Sequence, residues 1–163
     1  MILSRKHFFA SAAIAGIVLV SGAYAADISV TAPWSRATVR GASVGVGFFT
    51  IENKGKEADR LLGGTTDAAE KVELHESQAE GGIMKMRALP EGLEIKPGAT
   101  VTMKPGSYHL MLVGLKAVLL PGEKVHLTLK FAKAGVIAID LPVESFGATG
   151  PAPAAQETPQ ISY

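Results

Sequence analysis

The sequence of 163 residues contains no cysteine. Disulfide bonds are therefore excluded, and the fold must be held together by its core alone. A blue-copper electron-transfer centre is excluded as well, because it requires a cysteine thiolate as a ligand. We also expect no lipid anchor of the kind that is attached through a cysteine.

An excess of charge of either sign is also missing. The chain has 16 Lys and Arg against 15 Asp and Glu, which gives a formal net charge of +1. This balance argues against a nucleic-acid partner, since binding to phosphates requires a basic surface. The sequence also lacks a GxSxG elbow, a Ser-His-Asp order and a distinctive carboxylate pair, so we do not expect an enzyme.

The first 25 residues are predicted to be an export signal that is cleaved after Ala25. Arg5 and Lys6 precede an apolar stretch over residues 8–20, and an Ala-x-Ala cleavage pattern follows. The apolar stretch is shorter than the ~20 residues of a transmembrane helix. We therefore expect a periplasmic protein without membrane contact after cleavage.

Sustained helical periodicity is missing from the remaining residues, in which short apolar or alternating stretches are separated by Gly- and Pro-rich turns. This pattern predicts an all-β Greek-key sandwich or barrel. We expect a single domain over residues 26–146 and a disordered tail over residues 147–163. Asp67–Glu70 is the one candidate for a helical turn. The predicted strands are Ile28–Ala32, Val44–Glu52, Arg60–Thr65, Lys71–Glu76, Ile83–Ala88, Thr100–Met103, His109–Leu115, Lys124–Phe131 and Val136–Val143.

Two histidines and four methionines fall between residues 75 and 111, and three of these methionines, Met84, Met86 and Met111, are candidate ligands. Side chains alternate between the two faces of a strand. The leucines beside the histidines are expected to face the core, which places His75 outside and puts His109 and Met111 together on the outer face. Met84 and Met86 share one face of their own strand by the same rule.

These residue types favour cuprous copper. Neutral imidazole nitrogen and soft thioether sulfur suit Cu(I) better than zinc, calcium or magnesium. Imidazole binds a metal only when it is neutral, so such a site is expected to lose copper on acidification. Neutral ligands also leave the ion its positive charge, which favours a transferable site over a permanent one.

Purely structural roles are open for several of these residues at this point. A single Met usually fills a core, and we interpret Met103 in this way and His126 as a polar surface residue. Trp34 either packs the sandwich or makes a cation–π contact with bound copper. The rival to a copper carrier is an exported β-sandwich protein-interaction module without a physiological metal.

The spacing of the histidines and methionines is itself distinctive. His75 is followed after ten intervening residues by Met86, and the pair His109-x-Met111 follows a Lys-Pro-Gly turn. Together with blocks such as Ala-Pro-Trp-Ser-Arg at residues 32–36, and over about residues 27–145, this arrangement resembles the PCu(A)C family of periplasmic copper chaperones.

The resemblance implies a cupredoxin-like β-sandwich that binds Cu(I) and delivers it to the CuA centre on subunit II of cytochrome c oxidase, alongside Sco-type thiol proteins. The ligands that it implies are His75, Met86, His109 and Met111, with Met84 as an alternative to Met86. Many members carry a Met soon after the first His, whereas Glu76 and Ser77 stand there in this chain. Since the tail has neither His nor Met, we expect one copper site per chain, in a monomer.

Overall fold

The computed structural model describes residues 27–153, which form ten β-strands and no helix. The strands are β1 (Ile28–Arg36), β2 (Val44–Asn53), β3 (Asp59–Thr65), β4 (Ala69–Glu80), β5 (Ile83–Ala88), β6 (Leu93–Ile95), β7 (Thr100–Thr102), β8 (Tyr108–Leu115), β9 (Lys124–Phe131) and β10 (Val136–Glu144). The predicted all-β class is confirmed.

Seven of these strands close a barrel. The ring runs β4-β8-β2-β1-β10-β9-β3, and a pairing of Gly64 with Val72 joins β3 back to β4. Its neighbours are antiparallel except β1 and β10, which run parallel. The strands β5, β6 and β7 lie outside the ring and pair with β4, β3 and β2 respectively. The strand β5 is therefore an edge that only β4 supports within the described sheet.

The barrel interior is filled by alternate, mostly aliphatic side chains. In β9, Val125, Leu127, Leu129 and Phe131 are buried, as the alternation of that strand predicts. Leucines of β4 and β8 complete the wall that carries the histidines, and Leu110 is fully buried. Burial of such side chains stabilises the fold by about 1.5–3 kcal/mol each.

The first strand runs further than the sequence predicted. The expected end at Ala32 reflects the following proline, which cannot donate to a sheet. Instead, the strand continues past the proline through a bulge between Thr31 and Trp34, in which Ala32 has a φ of 49°. Pairing with β2 resumes after the bulge and places Trp34 opposite Phe48.

Two further predictions differ from the structure. The helical turn predicted for Asp67–Glu70 is wrong, because β4 begins at Ala69, which pairs with Leu115 and is buried. Sheet burial overrides local propensity in so short a segment. The strand Leu93–Ile95 was not among those predicted, since three residues between two turns carry little periodic signal.

The predicted signal at residues 1–25 and the tail beyond residue 153 lie outside the described residues. Within the described part of the tail, Ala148 accepts a hydrogen bond from Arg36 Nε at 2.7 Å. The backbone N–H of Ala152 donates to Glu144 at 3.1 Å. A search of residues 27–153 finds no helix with the length and hydropathy to cross a membrane.

Truncation of Leu110 to alanine tests the core wall behind the histidines. We expect the free energy of unfolding to fall by about 3 kcal/mol, because Leu110 is fully buried and its removal leaves a cavity. Urea denaturation followed by circular dichroism measures the change. The matched control is Leu120→Ala, at a side chain that is 49% exposed, which is expected to change stability by less than about 0.5 kcal/mol. Equal effects of the two substitutions would contradict this core assignment.

Candidate metal site

The pairing of β4 with β8 brings the two candidate histidines together. His75 lies directly opposite His109, and the ring centroids are 5.9 Å apart. Directly paired residues of antiparallel strands point to the same face. Leu74 pairs with Leu110 on the other face and is buried in the core. The predicted outward orientation of the histidines is thus what the structure shows.

A two-residue turn sets the register of the strand that carries Met86. Gly81 and Gly82 have φ values of 59° and 81°, the left-handed conformations of a tight hairpin connection. This turn fixes the β4–β5 register, in which Met86 lies opposite Ser77 and Met84 lies opposite Ala79. Met86 is therefore one strand repeat, about 7 Å, closer to the histidine pair than Met84.

Met111 approaches the histidine pair from the opposite end. It lies opposite Glu73 on β4, whereas Met86 lies opposite Ser77. Glu73 and Ser77 are about 13 Å apart along the strand, with His75 midway between them. A single ion at the histidines would thus be reached by both sulfurs only through side chains extended towards the centre, which the unbranched thioether chain permits.

The turn before β8 determines which nitrogen of His109 carries its proton. Ser107 N–H donates to Lys104 O at 3.0 Å, and Gly106 has a φ of 78°, as expected for the third residue of a Pro-Gly turn. Ser107 O then faces His109 Nδ1 at 2.9 Å. Because a carbonyl oxygen can only accept, Nδ1 is the donor, and Nε2 keeps its lone pair for a metal.

The ring of His75 has the complementary arrangement. Its Nε2 lies 3.1 Å from Glu73 Oε2, so a neutral ring donates from Nε2 to the carboxylate. Its Nδ1 is buried without a hydrogen-bond partner, and it is the one such side-chain nitrogen or oxygen found among the described residues. A buried polar atom without a partner requires an explanation. A free lone pair on His75 Nδ1, beside a second imidazole, is what a metal ligand would need.

An aromatic layer outside the main core backs the site. Trp34 stacks on Phe48 with a centroid distance of 4.5 Å, and both are buried. Phe48 in turn lies 6.5 Å from the ring of His109. The guanidinium of Arg36 lies 5.9 Å from both aromatic rings. Trp34 therefore packs against Phe48, and the cation beside its ring is the guanidinium of Arg36.

The site combines a buried histidine with an exposed methionine. His109 is 6% exposed, whereas Met86 is 56% exposed on an edge strand whose six residues are all exposed. Within residues 27–153, no group of three or more His, Cys, Asp or Glu side chains is placed to hold a metal. Hard ions therefore lack a cluster of oxygen ligands in this part of the chain, whereas a site of two imidazoles and thioethers suits Cu(I).

The remaining candidates from the sequence lie elsewhere. Met103 is buried in the core at 1% exposure. His126 is exposed and its Nδ1 lies 2.6 Å from Asp140. Sequence reasoning missed two neighbours of the site, Glu73 and Phe48. Glu73 could have been found from strand alternation, because it lies two residues before His75 on the same face. Phe48 depends on a sheet register that the sequence does not reveal.

Comparison with known proteins identifies the family. The model of a family described as putative lipoprotein LpqE-like matches residues 28–143. The chain belongs to the LpqE-like family. A putative lipoprotein of Leifsonia xyli subsp. xyli is 32% identical to this LpqE-like chain over 125 residues, covering 77% of this chain and 74% of that protein.

Solved structures similar to this LpqE-like chain include PCuAC domains. The copper-bound PCuAC domain of PmoF2 has a TM-score of 0.62 at 28% identity and covers 73% of this chain and 93% of that chain. The Cu(I)-bound solution structure of DR1885 from Deinococcus radiodurans has a TM-score of 0.58 at 27% identity and covers 71% of this chain and 76% of that chain. The predicted family and the predicted cupredoxin-like fold are confirmed.

The hydrogen bonds of the two histidines predict opposite tautomers in the metal-free protein. We expect His109 to carry its proton on Nδ1, where Ser107 O accepts it, and His75 to carry its proton on Nε2, beside Glu73. Long-range ¹⁵N–¹H correlation spectra at a pH where both rings are neutral distinguish the two forms. A proton on Nδ1 of His75 would contradict the assignment of that atom as a free lone pair.

Proposed function

We propose that this chain is a periplasmic Cu(I) chaperone that binds one ion per monomer. The observation that carries the proposal is the cross-strand pair of His75 and His109, with a buried and unpartnered Nδ1 on His75 and methionines at both ends of the pair. Two imidazoles supply fixed nitrogen ligands, and thioethers supply soft sulfur. This is a binding site for a cargo ion and not a catalytic centre.

The ligand set that we propose is His75, Met86, His109 and Met111. The strand register supports Met86 over Met84, because Met84 lies a further strand repeat away from the histidines. It supports Met111, because that residue follows His109 by two positions and therefore shares its face.

The surroundings of the site suit a transferable ion. All four proposed ligands are neutral, and the one carboxylate at the site, Glu73, already accepts a hydrogen bond from His75. The exposed side chain of Met86 offers a position at which an incoming ligand of a partner protein replaces a protein ligand without unfolding of the barrel. Bound copper would thus be protected from one side by the aromatic layer and accessible from the other.

Export and the recipient are part of the same proposal. The signal-like pattern of residues 1–25 and the lipoprotein descriptions of the family and of its relative support an exported protein. The two copper-bound structural neighbours support copper as the cargo. We propose the CuA centre on subunit II of cytochrome c oxidase as the recipient, with Sco-type thiol proteins as partners, on the basis of the sequence resemblance.

Anaerobic titration with Cu(I) against a chromophoric chelator tests the ligand set. We expect one tight equivalent in the wild-type protein. Each of the substitutions Met86→Ala, His109→Ala and Met111→Ala is expected to weaken binding by more than about tenfold, because loss of a direct ligand costs at least as much as loss of an outer partner.

Two control variants sharpen this titration. Met103→Leu changes a buried core methionine by a volume-conserving swap and is expected to leave copper affinity unchanged. Met84→Ala separates the two methionines of β5, and a larger effect there than at Met86 would reassign the ligand. No competition by the wild-type protein would remove the chaperone proposal and favour the metal-free interaction module.

Mixing the Cu(I)-loaded protein with the reduced, metal-free soluble domain of oxidase subunit II tests the recipient. We expect the ¹⁵N–¹H spectrum of the loaded protein to return to that of the metal-free protein, because thiolate ligands bind Cu(I) more strongly than imidazole and thioether. The control is the same domain with its thiols alkylated, which is expected to leave the spectrum unchanged. An unchanged spectrum with the unmodified domain would reject this recipient but would not contradict the proposal that the protein binds copper.

A further inference from the structure

A buried carboxylate lies on the reverse side of the sheet from the metal site. Glu76 is 7% exposed, and it pairs across the sheet with Arg87 on β5 and with Tyr108 on β8. These positions belong to the face that Leu74 and Leu110 form inside the barrel, one strand repeat further towards the hairpin end. The face that is apolar in the barrel thus becomes polar where β4 and β5 extend past it.

Several donors converge on this carboxylate. Arg87 donates from Nε and Nη2 to Glu76 Oε2 at 2.9 and 2.6 Å. Gln78 donates to Oε1 at 2.9 Å. Hydrogen bonds from Arg87 lower the pKa of Glu76, burial acts in the opposite direction, and a hydrogen bond with Tyr108 adds to the lowering. The carboxylate is therefore satisfied by groups from three strands and is held as an anion.

Each of the three strands contributes to this cluster one residue that is adjacent in sequence to a proposed ligand. Glu76 follows His75, Arg87 follows Met86, and Tyr108 precedes His109. Adjacent residues of a strand point to opposite faces, so a group fixed on one face also fixes the ligand beside it on the other. The carboxylate of Glu76 consequently cross-links, from behind, the three strands that carry all four proposed ligands.

The strand β5 depends on this cross-link more than the others do. All six of its residues are exposed, so no buried side chain fixes its position. Its supports in the described sheet are the ladder to β4 and the ion pairs Arg87–Glu76 and Lys85–Glu80. Lys85–Glu80 lies at the hairpin end with both side chains more than half exposed, whereas Glu76 is shielded from water. Exposed pairs contribute little, while shielded, multiply hydrogen-bonded ones restrain geometry.

We propose that Glu76 is the positioning residue that holds the Met86 strand against the histidine pair and thereby sets the affinity for Cu(I). This inference rests on the proposed function. Without the cross-link, Met86 would lie on an edge strand with little restraint, and its sulfur, which must extend towards the histidines, would bind less often. The histidines and Met111, which sit on strands of the barrel ring, would keep their places.

The test compares Glu76→Gln with the matched control Glu80→Gln on the same face of the same strand. Glu76→Gln is expected to weaken Cu(I) binding about tenfold, a typical cost for loss of an outer partner, and Glu80→Gln is expected to leave it unchanged. Arg87→Gln removes the same ion pair from an exposed position and is expected to reproduce the loss without a buried substitution. Thermal unfolding of each variant identifies any that no longer folds.

Spectra of ¹³C-methyl methionine provide a readout that loss of stability alone would not change. The chain has four methionines besides Met1, so each methyl signal can be assigned by substitution. We expect Cu(I) to shift the Met86 and Met111 signals in the wild-type protein, and to shift only that of Met111 in Glu76→Gln. A full Met86 shift with unchanged affinity in both Glu76→Gln and Arg87→Gln would overturn the inference alone. No copper response in the wild-type protein would overturn the proposed function itself.

Discussion

The site depends on one register, the antiparallel pairing of β4 with β8. Leu74 pairs with Leu110 towards the core, so His75 must pair with His109 on the outer face. A shift of β4 by one residue against β8 would send Leu74 into solvent and His75 into the barrel, which the burial of Leu74 opposes. The same apolar contacts that stabilise the barrel therefore place the two imidazoles side by side, and the protein needs no separate device to bring them together.

The two faces of this sheet have different roles. On the outer face, backbone and aromatic groups orient the imidazoles, with Ser107 O fixing His109 and Phe48 packing beside it. On the inner face, apolar packing gives way to the Glu76 cluster where β4 pairs with the appended strand β5. The two proposed nitrogen ligands therefore lie on strands of the barrel ring, whereas Met86 lies on an appended strand. In the proposed site, this difference would combine two fixed nitrogen ligands with a sulfur ligand that is open to exchange.

Much of this arrangement follows from local sequence signals. Strand alternation alone predicted that His109 and Met111 share one face of their strand, and that Met84 and Met86 share one face of theirs. Nine of the ten strands were predicted, because their apolar periodicity and the Gly and Pro turns between them agree. The proposed copper site was predicted from the combination of residue types and their spacing, since no single His or Met in the chain identifies a ligand.

The parts that could not be predicted depend on contacts between distant segments. The bulge at Ala32 and Pro33 is a response to pairing with β2, and the pairing that resumes after it places Trp34 against Phe48. Glu76 was noticed in the sequence only as a residue standing where relatives carry a methionine. Its role becomes visible when the register places Arg87 on one side and Tyr108 on the other. A buried carboxylate costs stability unless such partners surround it. The proposed role in positioning Met86 gives a reason for a buried carboxylate at this place.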